Sequence, residues 1–189
     1  MTEHSVFPSM ARPLILNVGA GTETYGDIRV DWAPSQTTQV VCDADFGFPF
    51  RDSVFTEVYS RCVFEHLRNP GFFLDEAYRV LRPLGRLVLV TDHAAYWRWH
   101  FQIDHANAYT HRSSRDRHYG LFSPGHLANH CRAAGFELVS VGTIGFEEHV
   151  RLGKDRLLAR LPRLRILAQP RIQLVAVKPV ARVPRGSET

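Results

Sequence analysis

No run of eighteen apolar residues occurs in the 189-residue chain, which excludes a membrane-spanning helix of ordinary length. The opening stretch MTEHSVFPSMARP has neither a basic n-region nor an apolar h-region, so no export signal is expected and the protein is expected to be cytoplasmic. Cysteine is scarce: Cys42, Cys62 and Cys131 stand far apart without a Cys-x-x-Cys pair, which excludes a disulfide scaffold and points to reduced, structural thiols. Lysine is nearly absent, the basic residues being almost all arginine, and there is no internal repeat or low-complexity tract.

What is present suits one folded domain. A hydrophobic fraction of 44% with 22% charged residues is globular rather than disordered, and the length allows a single good core. The domain is expected over residues 14–180, after a leader of residues 1–13 and before a loose tail of residues 181–189. PLILNVGAG reads as a buried strand entering a tight glycine turn. A second strand is expected near Ile28 to Asp31, a third in QVVCDAD and a fourth over Phe55 to Ser60. Phe73, Leu74, Ala77, Tyr78 and Leu81 share one face of a helix over about residues 70–81, and RLVLVTD is a further buried strand. SPGHLANHCRAAGF starts with Ser123 as N-cap and a proline at the first helical position, and closes on Gly135. FELVSVGTIGF and RIQLVAVKPV are the last two strands. This alternation predicts an α/β doubly wound, mostly parallel sheet covered on both faces, with an antiparallel edge at the C-terminal end.

Ligands of such sheets bind at the carboxyl ends of the strands, and the chain places suggestive residues there. Gly19 and Gly21 follow the first strand, where missing side chains let backbone N–H groups approach a ligand; a Gly-x-Gly in that position is equally simple turn chemistry. Asp31 ends the second strand, where a carboxylate accepts from both ribose hydroxyls of an adenosine; the plainer alternative is a solvated strand-end acid. Asp43 ends the third, placed to receive an adenine amine while the Ala44 N–H meets the ring.

With these residues in order, the sequence resembles the class I S-adenosylmethionine-dependent methyltransferases, in particular their short type 11-like branch. The resemblance is carried by LNVGAG at 16–21, VDW at 30–32, VVCDADFGFPF at 40–50, EVYSRCVFEHL at 57–67, EAYRVLRPLGRLVLVTD at 76–92 and YGLFSPGHLANHCRAAGFE at 119–137. It implies a Rossmann-like methyltransferase fold and S-adenosylmethionine as cofactor. Gly19, Ala20 and Gly21 would cradle the cofactor's amino acid portion, Asp31 the ribose, and Asp43 with Ala44 the adenine. Ser60 and Arg61 would line the wall after the fourth strand, and Glu65 with His66 would match a mainly structural Glu-His pair. Two departures stand out. Only residues 22–30 separate Gly21 from Asp31, so the usual first helix is reduced to a turn, and no N-terminal helices precede the first strand to cap the site. The stretch His93 to Gly120, or a second subunit in a homodimer, must close the pocket.

Methyl transfer from a sulfonium needs alignment and exclusion of water, with a base only where the acceptor must lose a proton. The place for that base is just after RLVLVTD, which makes His93 the first candidate and His105 and His118 the next; surface or capping roles are the competing reading of each. The histidines match no compact ligand motif, and no metal site is assigned. Arg151 to Arg171 holds seven basic residues against Asp155, interleaved with leucines and broken by Pro162. The plain expectation there is an apolar face docked on the domain with a solvated basic rim. An anionic membrane surface or a phosphorylated acceptor is the sharper one, and the lack of any RNA-binding motif argues against nucleic acid. The resulting expectation is an enzyme that methylates an oxygen or nitrogen of a small-molecule or glycan-like acceptor, with a non-catalytic cofactor-binding or regulatory protein as the alternative.

Overall fold

Apolar runs that end in turn residues become the centre of one seven-stranded sheet. The computed structural model describes residues 12–100, 117–145 and 153–180. Its strands are β1 (Ile15–Val18), β2 (Ile28–Asp31), β3 (Val40–Val41), β4 (Phe55–Arg61), β5 (Leu81–Asp92), β6 (Glu137–Ile144) and β7 (Arg171–Val177), in the order β3-β2-β1-β4-β5-β7-β6. The first five run parallel; β7 is antiparallel to both β5 and β6. The antiparallel C-terminal pair is thus present, with β7 next to β5 and the mostly exposed β6 at the edge. Chain order reverses around β1, which has β2 on one side and β4 on the other, and this switch opens a crevice beyond the carboxyl ends.

Helix α1 (Pro70–Val80) begins where the Asn69 side chain accepts from the Phe72 N–H and Pro70 occupies the first turn, where its missing N–H costs nothing. Phe73, Leu74, Ala77 and Val80 form its buried face. The Lys178 ammonium closes its C-terminal end by donating to the Tyr78 and Leu81 carbonyls at 2.7 and 2.6 Å. A short helix α2 (Trp97–His100) follows β5. Helix α3 (Pro124–Ala133) is capped by Ser123, whose hydroxyl accepts from the His126 N–H, and it buries Leu127, Ala128 and Cys131. Both long helices pack on the same face of the sheet, against Leu16, Val58, Leu87, Leu89 and Leu174 in one core. Burying each such side chain contributes about 1.5–3 kcal/mol.

On the other face, the first three connections supply no helix among the described residues. The β1–β2, β2–β3 and β3–β4 connections, residues 19–27, 32–39 and 42–54, are turns and irregular chain. They are too short, or too rich in Asp, Gly and Pro, to form a crossover helix. Polar side chains cover that face instead. Glu57, 4% exposed, accepts from the Tyr25 hydroxyl at 2.6 Å and from Arg86 Nε at 2.8 Å. Tyr25 also stacks edge-on against Tyr59 at 4.8 Å.

The basic segment also differs from the plain expectation. Helix α4 (Gly153–Arg160) stops before Pro162, a 3-10 turn spans Arg165–Ala168, and Leu157, Leu161 and Leu164 are exposed rather than docked. Leu158, Ala159 and Leu167 are half-buried, and Ala168 is buried. The expected leader and tail lie almost wholly outside the described residues, as does most of the stretch between His93 and Gly120, His105 included.

Candidate functional site

The carboxyl ends of β1, β2, β3 and β4 enclose a cavity of about 510 Å³, within the range of small-molecule sites. Its wall follows strand order: Val18 and Gly19 after β1, Asp31 and Trp32 at β2, Cys42 to Phe46 after β3, and Cys62 and Val63 after β4. His66, Arg68, Asn69 and Tyr119 close the far side.

The glycine turn is required by packing. Gly19 has φ +74°, and a Cβ there would lie 2.0 Å from Val63 Cγ2, so only glycine lets β1 approach the turn after β4. Its amide and that of Ala20 both donate to the Val30 carbonyl, at 2.8 and 3.1 Å, and the Gly21 amide donates to Asp31 Oδ2 at 2.8 Å. The turn therefore offers a ligand close backbone approach rather than idle N–H donors. Ser35 and Thr37 hydroxyls donate to the Gly21 carbonyl and hold the turn in place of the missing helix. Asp31 Oδ1 accepts from the Ala33 N–H, and each carboxylate oxygen retains a second lone pair for a ligand hydroxyl.

Of the cofactor residues expected from sequence, Gly19, Asp31, Asp43 and Ala44 lie on the cavity wall. Ala20, Gly21, Ser60 and Arg61 do not. Ser60 is buried and donates to the Val18 carbonyl, tying β4 to β1, while Arg61 turns to Glu23 at 3.9 Å. Trp32, Asp45, Phe46, Arg68 and Tyr119 are wall residues not singled out from sequence. Asp45 Oδ1 accepts the Arg68 and Asn69 amides, which pins the β3–β4 loop to the entry of α1. The DADFGFPF run that contains Asp45 and Phe46 was the only sequence signal for them.

A second group of residues lies behind the cavity wall at its β4–β5 side, next to the wall residues Cys62, His66 and Tyr119, and His118 itself does not line the cavity. The turn after β4, a 3-10 turn over Phe64–His66, carries Glu65 into the interior, where Thr91 of β5 donates to its Oε2 at 2.7 Å. The Glu65 carbonyl accepts the Tyr119 and Gly120 amides, and the His66 ring meets the Arg117 carbonyl at 3.1 Å. These bonds bring residues 117–120 beside β5. His118 Nδ1 consequently lies 3.1 Å from Asp92 Oδ2, both side chains being under 10% exposed, and the His118 ring stands edge-on to the cavity residue His66 at 4.6 Å. Burial, with the nearby Asp92 charge, pushes Glu65 up to about 7. Burial first, then Glu65, pushes the Cys62 thiol up to about 11, so it stays protonated at neutral pH and is no nucleophile.

His93 has a different setting. It is 1% exposed, its Nδ1 contacts the Gln169 carbonyl at 3.0 Å and its amide donates to the Pro170 carbonyl, fastening β5 to the start of β7. Burial lowers its pKa below the usual imidazole value. Among the described residues, no group of three or more His, Cys, Asp or Glu side chains has the geometry of a metal site.

Strand order, glycine turn and paired strand-end carboxylates together define a sheet built to hold a nucleoside cofactor at its switch point. The methyltransferase-domain family model matches residues 13–141, and the chain belongs to that family as an S-adenosylmethionine-dependent methyltransferase domain. Among curated proteins no sequence matches it. Solved structures share the fold at low identity. An S-adenosylmethionine-dependent methyltransferase from Thermotoga maritima aligns with TM-score 0.63 and 18% identity over 90% of this chain and 84% of its own. The Burkholderia thailandensis 1,6-didemethyltoxoflavin-N1-methyltransferase, solved with 1,6-didemethyltoxoflavin and S-adenosylhomocysteine, aligns with TM-score 0.58 and 16% identity over 89% and 72%. A Haloferax volcanii protein in complex with the Trm112 methyltransferase activator aligns with TM-score 0.59 and 14% identity over 90% and 83%.

The cavity fits S-adenosylmethionine on its own terms. Its volume suits a nucleoside-sized ligand, the Gly19 side of the wall has no side chain, and the Asp31 and Asp43 carboxylates offer acceptors at successive strand ends. No helix among the described residues is long and apolar enough to cross a membrane.

Proposed function

We propose that this domain transfers a methyl group to an oxygen or nitrogen of a small-molecule or glycan-like acceptor, with His118 as the group that takes the acceptor's proton. The observation that carries the reading is the buried His118–Asp92 pair, set beside a cavity whose other end presents Gly19, Asp31 and Asp43. Asp31 would hold the ribose hydroxyls, Asp43 and Ala44 the adenine, and Gly19 the approach to the methionine portion. Bound S-adenosylmethionine supplies an electrophilic methyl on a sulfonium. The chain's own contribution is alignment, exclusion of water and a proton acceptor. With Nδ1 lying 3.1 Å from Asp92 Oδ2, the proton acceptor on His118 would be Nε2. Tyr119 and His66 frame the space between that base and the cofactor end. His93 supports the site as a strut.

Calorimetric titration with S-adenosylmethionine and its demethylated product, run in parallel on the Asp31→Ala variant, is the test. Binding by the parent and at least tenfold weaker binding by the variant support the cofactor site and open an acceptor screen. Absence of binding by both proteins refutes the enzymatic reading. Binding without turnover on any oxygen or nitrogen acceptor favours the regulatory alternative.

A further inference from the structure

The segment between β6 and β7 gathers exposed aliphatic and cationic side chains. Leu157, Leu161, Leu164 and Ile166 are 61%, 43%, 39% and 43% exposed, in a segment where every residue from Arg160 to Ile166 faces solvent. Arg156, Arg160, Arg163 and Arg165 are interleaved with them, and no carboxylate among the described residues pairs with these guanidinium groups. A soluble surface gains nothing from four exposed aliphatic side chains in ten residues, and such a patch with a cationic rim marks an interaction site.

Its position matters as much as its composition. The segment leaves β6 at Ile144 and returns at Arg171, which is in register with both Ile144 and Asp92. It therefore projects from the carboxyl end of β5, beside the His118–Asp92 pair. The His93 amide and ring, held by Pro170 and Gln169, fasten its base.

We propose that this surface docks on an anionic lipid bilayer, the leucines and isoleucine entering the acyl boundary while the arginines engage lipid phosphates. Arginine suits the task, because its planar fork meets a phosphate with two hydrogen bonds. The alternation of aliphatic and cationic residues is that of an interfacial segment, whereas a surface for single-stranded nucleic acid would interleave rings on which bases stack. Docking in this way turns the acceptor end of the site toward the membrane. That consequence rests on the methyltransferase reading above, but the docking itself does not.

The full chain is co-sedimented with vesicles of phosphatidylcholine containing phosphatidylglycerol, and with phosphatidylcholine alone. Two variants are compared: Arg160→Glu/Arg163→Glu/Arg165→Glu, and Leu161→Ser/Leu164→Ser/Ile166→Ser. Thermal melting and S-adenosylmethionine titration on each report whether the fold is retained. The parent is expected to partition onto the anionic vesicles only. The arginine variant should lose at least about 100-fold in partitioning, near 1 kcal/mol per charge removed. The serine variant should lose tenfold or more at unchanged charge. The proposal is overturned if the parent ignores anionic vesicles at low salt, if the serine variant partitions like the parent, or if polyuridylate displaces the protein from vesicles. Failure with cofactor binding intact sinks this inference alone; a null Asp31 titration concerns the function of the site instead.

Discussion

Asp92 Oδ2 and His118 Nδ1 face each other at 3.1 Å in a part of the domain where neither side chain sees much water. A contact this close between two buried side chains positions the imidazole. Replacing His118 by Ala should lower kcat by about 100-fold to 10,000-fold, the usual range for loss of a general base. Asp92→Asn should lower kcat in the same direction. S-adenosylmethionine affinity should change by less than about threefold in both variants. Equal losses in kcat and in cofactor affinity would assign the pair to the fold rather than to chemistry.

Glu65 gives the domain a pH signature. The unfolded chain releases this proton near 4.5, while the folded protein keeps it to about 7 because burial and Asp92 disfavour the carboxylate. Unfolding free energy should therefore be highest on this account below about pH 4.5 and fall as pH rises to about 7. Glu65→Gln should flatten that decline and leave the variant relatively more stable at pH 8 than at pH 5. His93, whose pKa burial lowers, acts in the opposite direction, so the informative quantity is the difference between variant and parent in urea midpoints across this range.

Gly19 and Gly21 separate space from backbone conformation. Both have positive φ, but a Cβ at Gly19 collides with Val63 and one at Gly21 meets nothing within 4 Å. Gly19→Ala should cost about 2–4 kcal/mol, combining left-handed strain with overpacking. Gly21→Ala should cost about 1 kcal/mol from strain alone. Denaturant melts of the two variants measure the contrast.

At the end of the sheet near the β1–β2 turn, Glu57 holds Tyr25 and Arg86 together. Glu57→Gln should destabilise the fold by about 1–2 kcal/mol, a modest value because both partners are well exposed to solvent. The hydrogen bond to Glu57 pushes Tyr25 up to about 12 from 10.0, so its contribution is whole below about pH 10 and declines toward 12. Absorbance titration of tyrosine should show one group shifting down in the variant. An unshifted titration curve would remove Glu57 as the cause.

Much of the architecture was legible because it rests on local patterns. The apolar runs that became β1 to β5, Ser123 as a cap and the reduced first helix all follow from neighbouring residues. Asp31, Asp43 and Ala44 reach the cavity because a residue at a parallel strand's carboxyl end has little choice of position. Ser60 and Arg61 show the limit. Adjacent strand residues point to opposite faces, and which face borders the crevice depends on layers that sequence does not reveal. From sequence His93 ranked ahead of His118 as a base. What distinguishes them is contact with Gln169 and Pro170 in one case and with Asp92 and His66 in the other, partners set by tertiary folding. The missing helices after β2 and β3 went unforeseen because alternating strands imply crossover helices, whereas these connections are too short, or too rich in Asp, Gly and Pro, to supply them.

Strand β7 lies between β5 and β6 although it comes last along the chain. During synthesis β5 has its β4 partner at once, yet its other edge stays open until residues 171–177 arrive. Backbone donors and acceptors along Arg86 to Asp92 are exposed throughout that interval, a template for pairing with the wrong strand. Folding of this domain is therefore a race between the arrival of a distant segment and self-association, and its yield should be more sensitive to expression rate and temperature than to the strength of its core.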